Sequence, residues 1–308
     1  MDKYYFGIDI GGTKMEYALY NENFEELSRE RIATQRDLGY ESVIERLVGS
    51  LKEEIKRKEI AINQVVGIGV GLPGTIDPST KVMINGNSEI FIQKDFRSDL
   101  KKAFYPELDV RIANDANLFA LAEHHRGAGV KYEQETGIKR NDQISMGIIL
   151  GTGNGGGLII NGKIFSGKHG GGVEVGHHVL YNNGRPCYCG RKGCSEQYLC
   201  GPSVEANYLK QTGKNKMATD ILRGKDRISV TLMNQYKHDL LEFLTNLSTL
   251  FDPDYFVLGG GISKMDELYE GLEEKLWGQV FVKGTKPRVY KHEVGDSSGV
   301  LGASMLFN

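Results

Sequence analysis

The chain has 308 residues, a formal net charge of −2, and 40% hydrophobic against 25% charged residues. That length holds two ordinary domains, the composition is globular, and the nearly balanced charge gives no electrostatic case for nucleic acid or an anionic membrane as partner. No apolar run approaches the ~20 residues that cross a bilayer, and MDKYYFGIDI lacks the basic start and long apolar core of a signal peptide, so the expected location is the cytoplasm.

In chain order, Tyr4 to Ile10 is a short apolar strand running into Asp9-Ile10-Gly11-Gly12-Thr13-Lys14, and Met15 to Tyr20 reads as its returning hairpin partner. Ile44, Leu47, Leu51 and Ile55 recur at helical spacing and predict a helix from about Glu41 to Arg57. Val65 to Gly71 is a buried strand, broken by Pro73-Gly74. Val110 to Ala113 is another, with Asn114-Asp115 at its end and a helix from about Ala116 to His125. A polar stretch, Lys131 to Asn141, precedes an apolar strand from Ile144 to Leu150. The run Gly151-Thr152-Gly153-Asn154-Gly155-Gly156-Gly157 and a returning strand, Leu158 to Asn161, come next. Phe165 to Gly201 reads as irregular and rich in Gly and Cys. Leu240, Phe243, Leu244, Leu247 and Phe251 share one face of a helix over about Asp239 to Phe251. Tyr255 to Leu258 is a strand ending in Gly259-Gly260-Gly261, with a helix expected from near Lys264 and a final one after Gly295-Asp296-Ser297-Ser298-Gly299.

The glycines are clustered, which suggests backbone approaching a ligand closely. In Asp9-x-Gly11-Gly12-Thr13-Lys14, bare N–H groups can reach phosphate oxygens and a hydroxyl can add a bond. Asp9 can hold Mg²⁺ through water. The motif is neither a Walker A loop nor a dinucleotide GxGxxG, because a strand rather than a helix follows; an ordinary hairpin turn is the plainer alternative. Gly151, Thr152 and Gly153 open a second Gly-rich hairpin, so the two halves of the chain echo each other. Two such loops facing each other across a cleft would grip one polyphosphate, although close packing of two strands also demands glycine. Gly259, Gly260 and Gly261 are a third stretch where backbone can pass beneath a base or ribose, or simply turn from strand to helix. Asp115 can take the proton from a substrate hydroxyl in phosphoryl transfer. It is equally a favoured helix N-cap, worth about 1 kcal/mol, and the two roles can coexist.

Cys187, Cys189, Cys194 and Cys200 are the only cysteines. The even count allows disulfides, but without a secretory signal the Cys-x-Cys-x4-Cys spacing points to Zn²⁺ in preference to disulfides or free thiols. The fourth ligand is Cys200 or His177, and a site closed by four protein ligands is structural. Glu174, His177 and Glu196 bracket this knuckle. A zinc-ordered loop carries them into one pocket, where two carboxylates and an imidazole can bond the hydroxyls of a polyhydroxylated substrate; solvated surface glutamates are the alternative. His124, His125 and His178 are read as surface or core residues.

With these residues collected, the chain resembles the ROK family (repressor, open reading frame, kinase) nearly end to end. DIGGTK resembles its first phosphate motif and LGTGNGGG its second. Glu174-x-Gly176-His177 resembles its ExGH signature, CYCGRKGCSE its CxCGxxGCxE zinc signature, and GGGIS its adenosine motif. The resemblance implies an α/β fold of the actin-like ATPase, hexokinase type (ribonuclease H-like). Two domains are then hinged around a cleft: residues 1–115 with 291–308 form the small one, and 116–290 the large one with the zinc knuckle. It implies an ATP-dependent sugar kinase acting at the 6-hydroxyl of a hexose or N-acetylhexosamine. Asp115 is then the base, with sugar contacts from Asn114, Glu174, His177 and Glu196. Asp9, Gly11, Gly12, Thr13, Lys14, Gly151, Thr152 and Gly153 serve the phosphates, with Mg²⁺ near Asp9, and Gly259, Gly260 and Gly261 serve the adenosine. Structural Zn²⁺ falls to His177, Cys187, Cys189 and Cys194, leaving Cys200 out. Asn87 falls where relatives place a sugar-contacting Asn, and Val173 where they often have Gly. A homodimer is common among relatives. The sugar signals divide: the Asn-Ser segment, PCYCG and GDSSGV are similar to fructokinase/mannokinase-type members, and the LIxNGK stretch to N-acetylglucosamine kinases. Of the rival readings, a non-catalytic sugar sensor is opposed by the intact Asp9, Asp115 and both loops. A ROK-type transcriptional repressor is expected to carry an N-terminal helix-turn-helix domain, for which a phosphate strand starting within the first ten residues leaves no room, so that alternative stands only as a regulator lacking its DNA-binding domain. An actin-like ATPase or phosphatase is opposed by the zinc knuckle with its two glutamates.

Overall fold

The structure is a computed structural model that describes residues 2–86 and 88–308, so Asn87 lies outside the described residues. The chain divides into two compact units. The first runs to Ala122 and takes in Ser166–Gly172 and Asp296–Asn308; the second comprises Glu123–Phe165 and Val173–Gly295. The family resemblance implies boundaries at 115/116 and 290/291.

Unit 1 contains β1 (Tyr4–Ile10), β2 (Lys14–Tyr20), β3 (Glu26–Ala33), β4 (Val65–Leu72), β5 (Gly74–Ile76), β6 (Met83–Gly86) and β7 (Asp109–Asn114). Its main sheet has the order β3-β2-β1-β4-β7, and β5 pairs with β6 in a separate ribbon. β1, β2 and β3 form an antiparallel meander, while β4 and β7 run parallel to β1. Strand residues alternate between faces. Phe6, Ile8, Ile68 and Val70 are fully buried in a core shared with Val43, Leu47 and Leu51 of the helix Tyr40–Arg57. The opposite face carries Gly7 and Gly69. A Cβ at Gly7 would lie 2.0 Å from the Val300 carbonyl oxygen, and one at Gly69 1.7 Å from that of Ala303. The bare strands thus let the helix Ser298–Ser304 rest directly on the sheet.

Unit 2 contains β8 (Ile144–Leu150), β9 (Asn154–Ile160), β10 (Lys163–Ile164), β11 (Tyr255–Gly259) and β12 (Arg288–Lys291), in the order β10-β9-β8-β11-β12. The order and the strand directions repeat those of unit 1. Its core is built on Leu240, Phe243 and Leu244 of the helix Arg227–Phe251 against Met146, Ile148 and Phe256. Buried Glu123 accepts backbone N–H bonds from Ala128, Glu293 and Val294, which ties distant segments together.

Several expectations need correction. The polar stretch Lys131 to Asn141 includes much of a helix, Ala128–Thr136, anchored by buried Tyr132. Gly155, Gly156 and Gly157 belong to β9 and not to the turn; a Cβ at Gly156 would lie 2.5 Å from Val175 Cγ2, so close packing explains that glycine. The helix placed over Asp239 to Phe251 begins at Arg227, where the Asp226 carboxylate accepts from the N–H groups of Ile228 and Ser229. Beyond Gly261 the chain makes two 3₁₀ turns, and the helix starts only at Leu272, after left-handed Gly271. Among the described residues no helix is long and apolar enough to cross a membrane.

Candidate active site

In unit 1 the hairpin β1–β2 turns through Gly11, Gly12 and Thr13, closed by Gly11 N–H donating to the Lys14 carbonyl at 2.9 Å. Thr34, just past β3, holds the turn from outside: its hydroxyl donates to the Gly11 carbonyl (2.8 Å) and its N–H to that of Thr13 (3.0 Å). Thr13 and Lys14 are exposed. Asp9 lies half-buried one strand position before the end of β1, opposite Gly71 of β4. A Cβ at Gly71 would lie 3.2 Å from Asp9 Oδ1, and one at Gly299 would lie 2.9 Å from Oδ2. Two glycines from distant segments thus make room for this carboxylate. None of the described hydrogen bonds reaches it. Burial, then the charges of Asp115 and Glu16, push its pKa from 3.8 up to about 6, against an opposing pull from Lys14.

β7 ends at Asn114, and the helix Asp115–Arg126 starts at once. Asn114 bridges two elements: Nδ2 donates to the Gly74 carbonyl at 3.2 Å, and Oδ1 accepts the Ala116 N–H at 2.9 Å. Asp115 Oδ1 shares that N–H at 2.8 Å. The cap is therefore split between the two residues, and no described bond reaches the other Asp115 carboxylate oxygen. Asp115 is solvent-accessible, yet the protein around it pushes its carboxyl above the usual range, with its backbone hydrogen bonds opposing.

In unit 2 the turn Gly151-Thr152-Gly153 joins β8 to β9, with Gly151 N–H donating to the Gly153 carbonyl at 3.1 Å. Glu196 reaches this turn: its Oε2 accepts the Asn154 N–H at 3.0 Å and would lie 2.9 Å from a Cβ at Gly153. Ser195 is the hub behind it. Its hydroxyl donates to the Val175 carbonyl (2.8 Å) and accepts from Asn154 Nδ2 (3.2 Å), while its N–H donates to the His178 carbonyl (2.8 Å). Gly176 completes the contact, since a Cβ there would lie 2.0 Å from the Asn154 carbonyl oxygen. Glu174 is exposed at the start of the 3₁₀ turn Val175–His177. Val173, just before it, is left-handed at φ 67°, which explains why glycine suits that position. Neither Ser195 nor Asn154 carries a sequence signal of its role.

Gly260 is also left-handed, and a Cβ there would lie 2.4 Å from the Leu150 carbonyl oxygen, so the turn after β11 packs on the end of β8. Gly261 has open space above it. Gly259 is the last residue of β11.

The ligand atoms of His177, Cys187, Cys189 and Cys194 all lie within 4.8 Å of one another. Cys187 Sγ is 3.6 Å from His177 Nδ1, and Cys189 Sγ is 3.6 Å from Cys194 Sγ. A tetrahedron with Zn–S bonds of about 2.3 Å and Zn–N of about 2.0 Å has edges of roughly this length, so the donor set fits zinc. Cys200 stands outside it, with Sγ 3.1 Å from the Ser203 hydroxyl. His177 Nε2 faces the Tyr188 hydroxyl at 3.1 Å.

The ROK family model matches residues 5–308. The chain is 34% identical to the N-acetyl-D-glucosamine kinase of Aliivibrio fischeri over 319 aligned residues, covering 98% of each chain. It is similar in structure to a ROK hexokinase from Thermus thermophilus (TM-score 0.83, 27% identity, 99% of this chain and 97% of that one). A ROK glucokinase from Streptomyces griseus, solved with glucose and AMPPNP, superposes with TM-score 0.74 at 25% identity, with 98% of each chain covered. On a match that spans nearly its whole length, the chain belongs to the ROK family and is one of its sugar kinases.

Proposed function

We propose that this sugar kinase transfers the γ-phosphate of ATP to the 6-hydroxyl of N-acetyl-D-glucosamine in the cytoplasm, with Asp115 as the general base. The observation that carries the reading is the pair of electrostatically coupled carboxylates, Asp9 and Asp115, beside a turn of bare backbone. The choice of sugar is supported by curated relatives named N-acetyl-D-glucosamine kinase at 33–34% identity.

Gly11, Gly12 and Thr13 offer N–H groups and a hydroxyl to phosphate oxygens, Lys14 adds a positive charge, and Gly151, Thr152 and Gly153 do the same from unit 2. Gly259, Gly260 and Gly261 leave backbone bare for the nucleoside. Mg²⁺ arriving with ATP would neutralise phosphate charge, and Asp9 would suit its hydration shell because none of the described hydrogen bonds occupies its carboxylate. Asn114, Glu174, His177 and Glu196 bond the sugar hydroxyls, a role that the family resemblance extends to Asn87. Asp115 uses one oxygen to cap its helix, which fixes its orientation. The other oxygen is left to accept the hydroxyl proton as the sugar oxygen attacks the phosphorus. A raised pKa makes Asp115 a stronger base than an ordinary aspartate. Zn²⁺ on His177, Cys187, Cys189 and Cys194 would be structural, holding a loop that carries Glu196 but has little core of its own.

The test is ADP release from ATP·Mg²⁺ with N-acetylglucosamine, N-acetylmannosamine, glucose, mannose and fructose. Turnover is expected to be fastest with N-acetylglucosamine, giving the 6-phosphate. Preference for glucose or fructose would overturn the substrate assignment. No turnover with any sugar by zinc-loaded protein would overturn the proposed reaction.

A further inference from the structure

Arg36 belongs to no motif read from the sequence, yet the fold delivers it to the first glycine turn. A Cβ on Gly12 would lie 3.3 Å from Arg36 Nη1 and 3.8 Å from its Cζ, so the guanidinium rests over the bare backbone of Gly12. The placement is held from several sides. Thr34 is bonded to both Gly11 and Thr13. Arg46, on the helix Tyr40–Arg57, donates to the carbonyls of Ala33 and Thr34 at 2.9 and 3.2 Å. Gln35 then adopts a left-handed conformation, φ 47° and ψ 51°, which reverses the chain and starts the 3₁₀ turn Arg36–Leu38. A non-glycine residue at positive φ costs stability and persists where its surroundings enforce it. Here the reversal is what turns Arg36 onto the loop.

Arg36 is exposed, and no described hydrogen bond or ion pair reaches its guanidinium. This contrasts with Arg29, Arg31 and Arg57 of the same unit, each paired with glutamate. Lys14, at the other end of the turn, is likewise in no described ion pair. Among the described residues the turn therefore presents two cations in no ion pair around N–H groups, with the Asp9 carboxylate close by. That arrangement complements a metal-bound polyphosphate.

We propose that Arg36 is a phosphate-binding residue of the kinase reaction, its planar fork gripping oxygens of the ATP triphosphate against the Gly11-Gly12-Thr13 turn. The inference rests on the reading of that turn as a phosphate site. Arginine suits the role because its fork can bond two oxygens at once, which a lysine ammonium cannot do in a fixed plane.

The experiment compares wild type, Arg36→Ala, Arg36→Lys and Asp9→Asn as full-length, zinc-loaded protein. Arg36→Ala is expected to lower kcat/KM for ATP by about 10- to 100-fold, the range of a charge-assisted hydrogen bond, with sugar affinity in the absence of ATP unchanged. Arg36→Lys should recover part of the loss. Inorganic tripolyphosphate should weaken as an inhibitor by a factor similar to that for ATP, while inhibition by adenosine stays the same. A silent Arg36→Ala alongside a crippled Asp9→Asn overturns the inference alone. If Asp9→Asn is silent too, the phosphate reading of the turn falls and takes the inference with it. A loss shared equally by ATP, adenosine, sugar affinity and melting temperature would make Arg36 a structural residue and refute the proposal.

Discussion

Asp9→Asn should make the ligand-free protein more stable and the enzyme inactive. A carboxyl whose folded pKa is about 6 against an ordinary 3.8 binds more protons in the folded than in the unfolded state between those values. Stability therefore falls as pH rises through that window, and above it the full deficit is present. At about 1.4 kcal/mol for each pH unit between the two values, the deficit is about 3 kcal/mol. The amide in Asp9→Asn carries no charge but leaves a half-buried polar group without a partner, at a cost of about 1–2 kcal/mol. The net gain at pH 8 is then about 1–2 kcal/mol, or a rise in melting temperature of roughly 2–6 °C. Scanning fluorimetry of both proteins at pH 8 and pH 4.5 checks it. The difference should shrink as pH falls, because wild-type Asp9 then becomes protonated and neutral as well. ATP·Mg²⁺ should reverse the ranking at pH 8 by stabilising wild type more. A variant that melts lower at pH 8, or whose offset ignores pH, would refute the argument that this carboxylate is held charged against its environment.

Asp115→Asn should lower kcat by about 10²- to 10⁴-fold while sugar affinity, read by calorimetry without ATP, stays close to wild type; near-normal turnover would remove Asp115 as base. Asp9 and Asp115 are coupled and both raised, so kcat/KM should rise with pH along an acid limb whose apparent pKa is no lower than the value of about 6 that Asp9 has. The limb belongs to the pair, and in Asp115→Asn it should move to lower pH, because a nearby negative charge has gone. Removing the metal with a chelator, or replacing Cys194 with Ser, should release about one zinc per chain, measured colorimetrically. It should raise KM for the sugar more than KM for ATP, since the knuckle carries Glu196; retained sugar affinity in metal-free protein would contradict this.

The parts of the fold that were legible are those where apolar runs end in glycine or proline. β1, β4, β8 and β11 are short, apolar and stopped by Gly11, Pro73, Gly151 and Gly260. β3, with the sequence ELSRERIA, escaped because it is an edge strand whose charged residues pair with one another and with Glu16. Such a strand has no apolar face of its own to display. At the site, the motif residues were legible as types, but their environment was not. The pKa of Asp9 is raised by burial and by Asp115 and Glu16, and the space for its carboxylate is left by Gly71 and Gly299, whose nearness is a product of sheet register and of the helix Ser298–Ser304 lying on the sheet. Arg36 depends on a left-handed Gln35, and Ser195 on hydrogen bonds to two separated segments, Asn154 and the turn Val175–His178. None of these has a spacing that a sequence pattern records.

The two units share strand order, strand direction and a three-residue turn after the first strand, so their differences can be assigned residue by residue. Asp9 faces Gly71 across β1 and β4, and Ile149 faces Gly259 across β8 and β11. Ile149 thus occupies in unit 2 the position that Asp9 holds in unit 1. The repeated scaffold keeps the bare turn and the glycine opposite it but loses the strand carboxylate. Unit 2 supplies its acid differently: Glu196 comes from beyond the knuckle and is fastened to the turn through Asn154. A carboxylate fixed by a strand needs only the sheet to hold it. One fixed by an irregular loop needs something to hold the loop, and three thiols and an imidazole within 4.8 Å are a means of doing that where there is little apolar core. The cysteine cluster is thus best understood as what replaces, in the second unit, the rigidity that β1 gives Asp9 in the first.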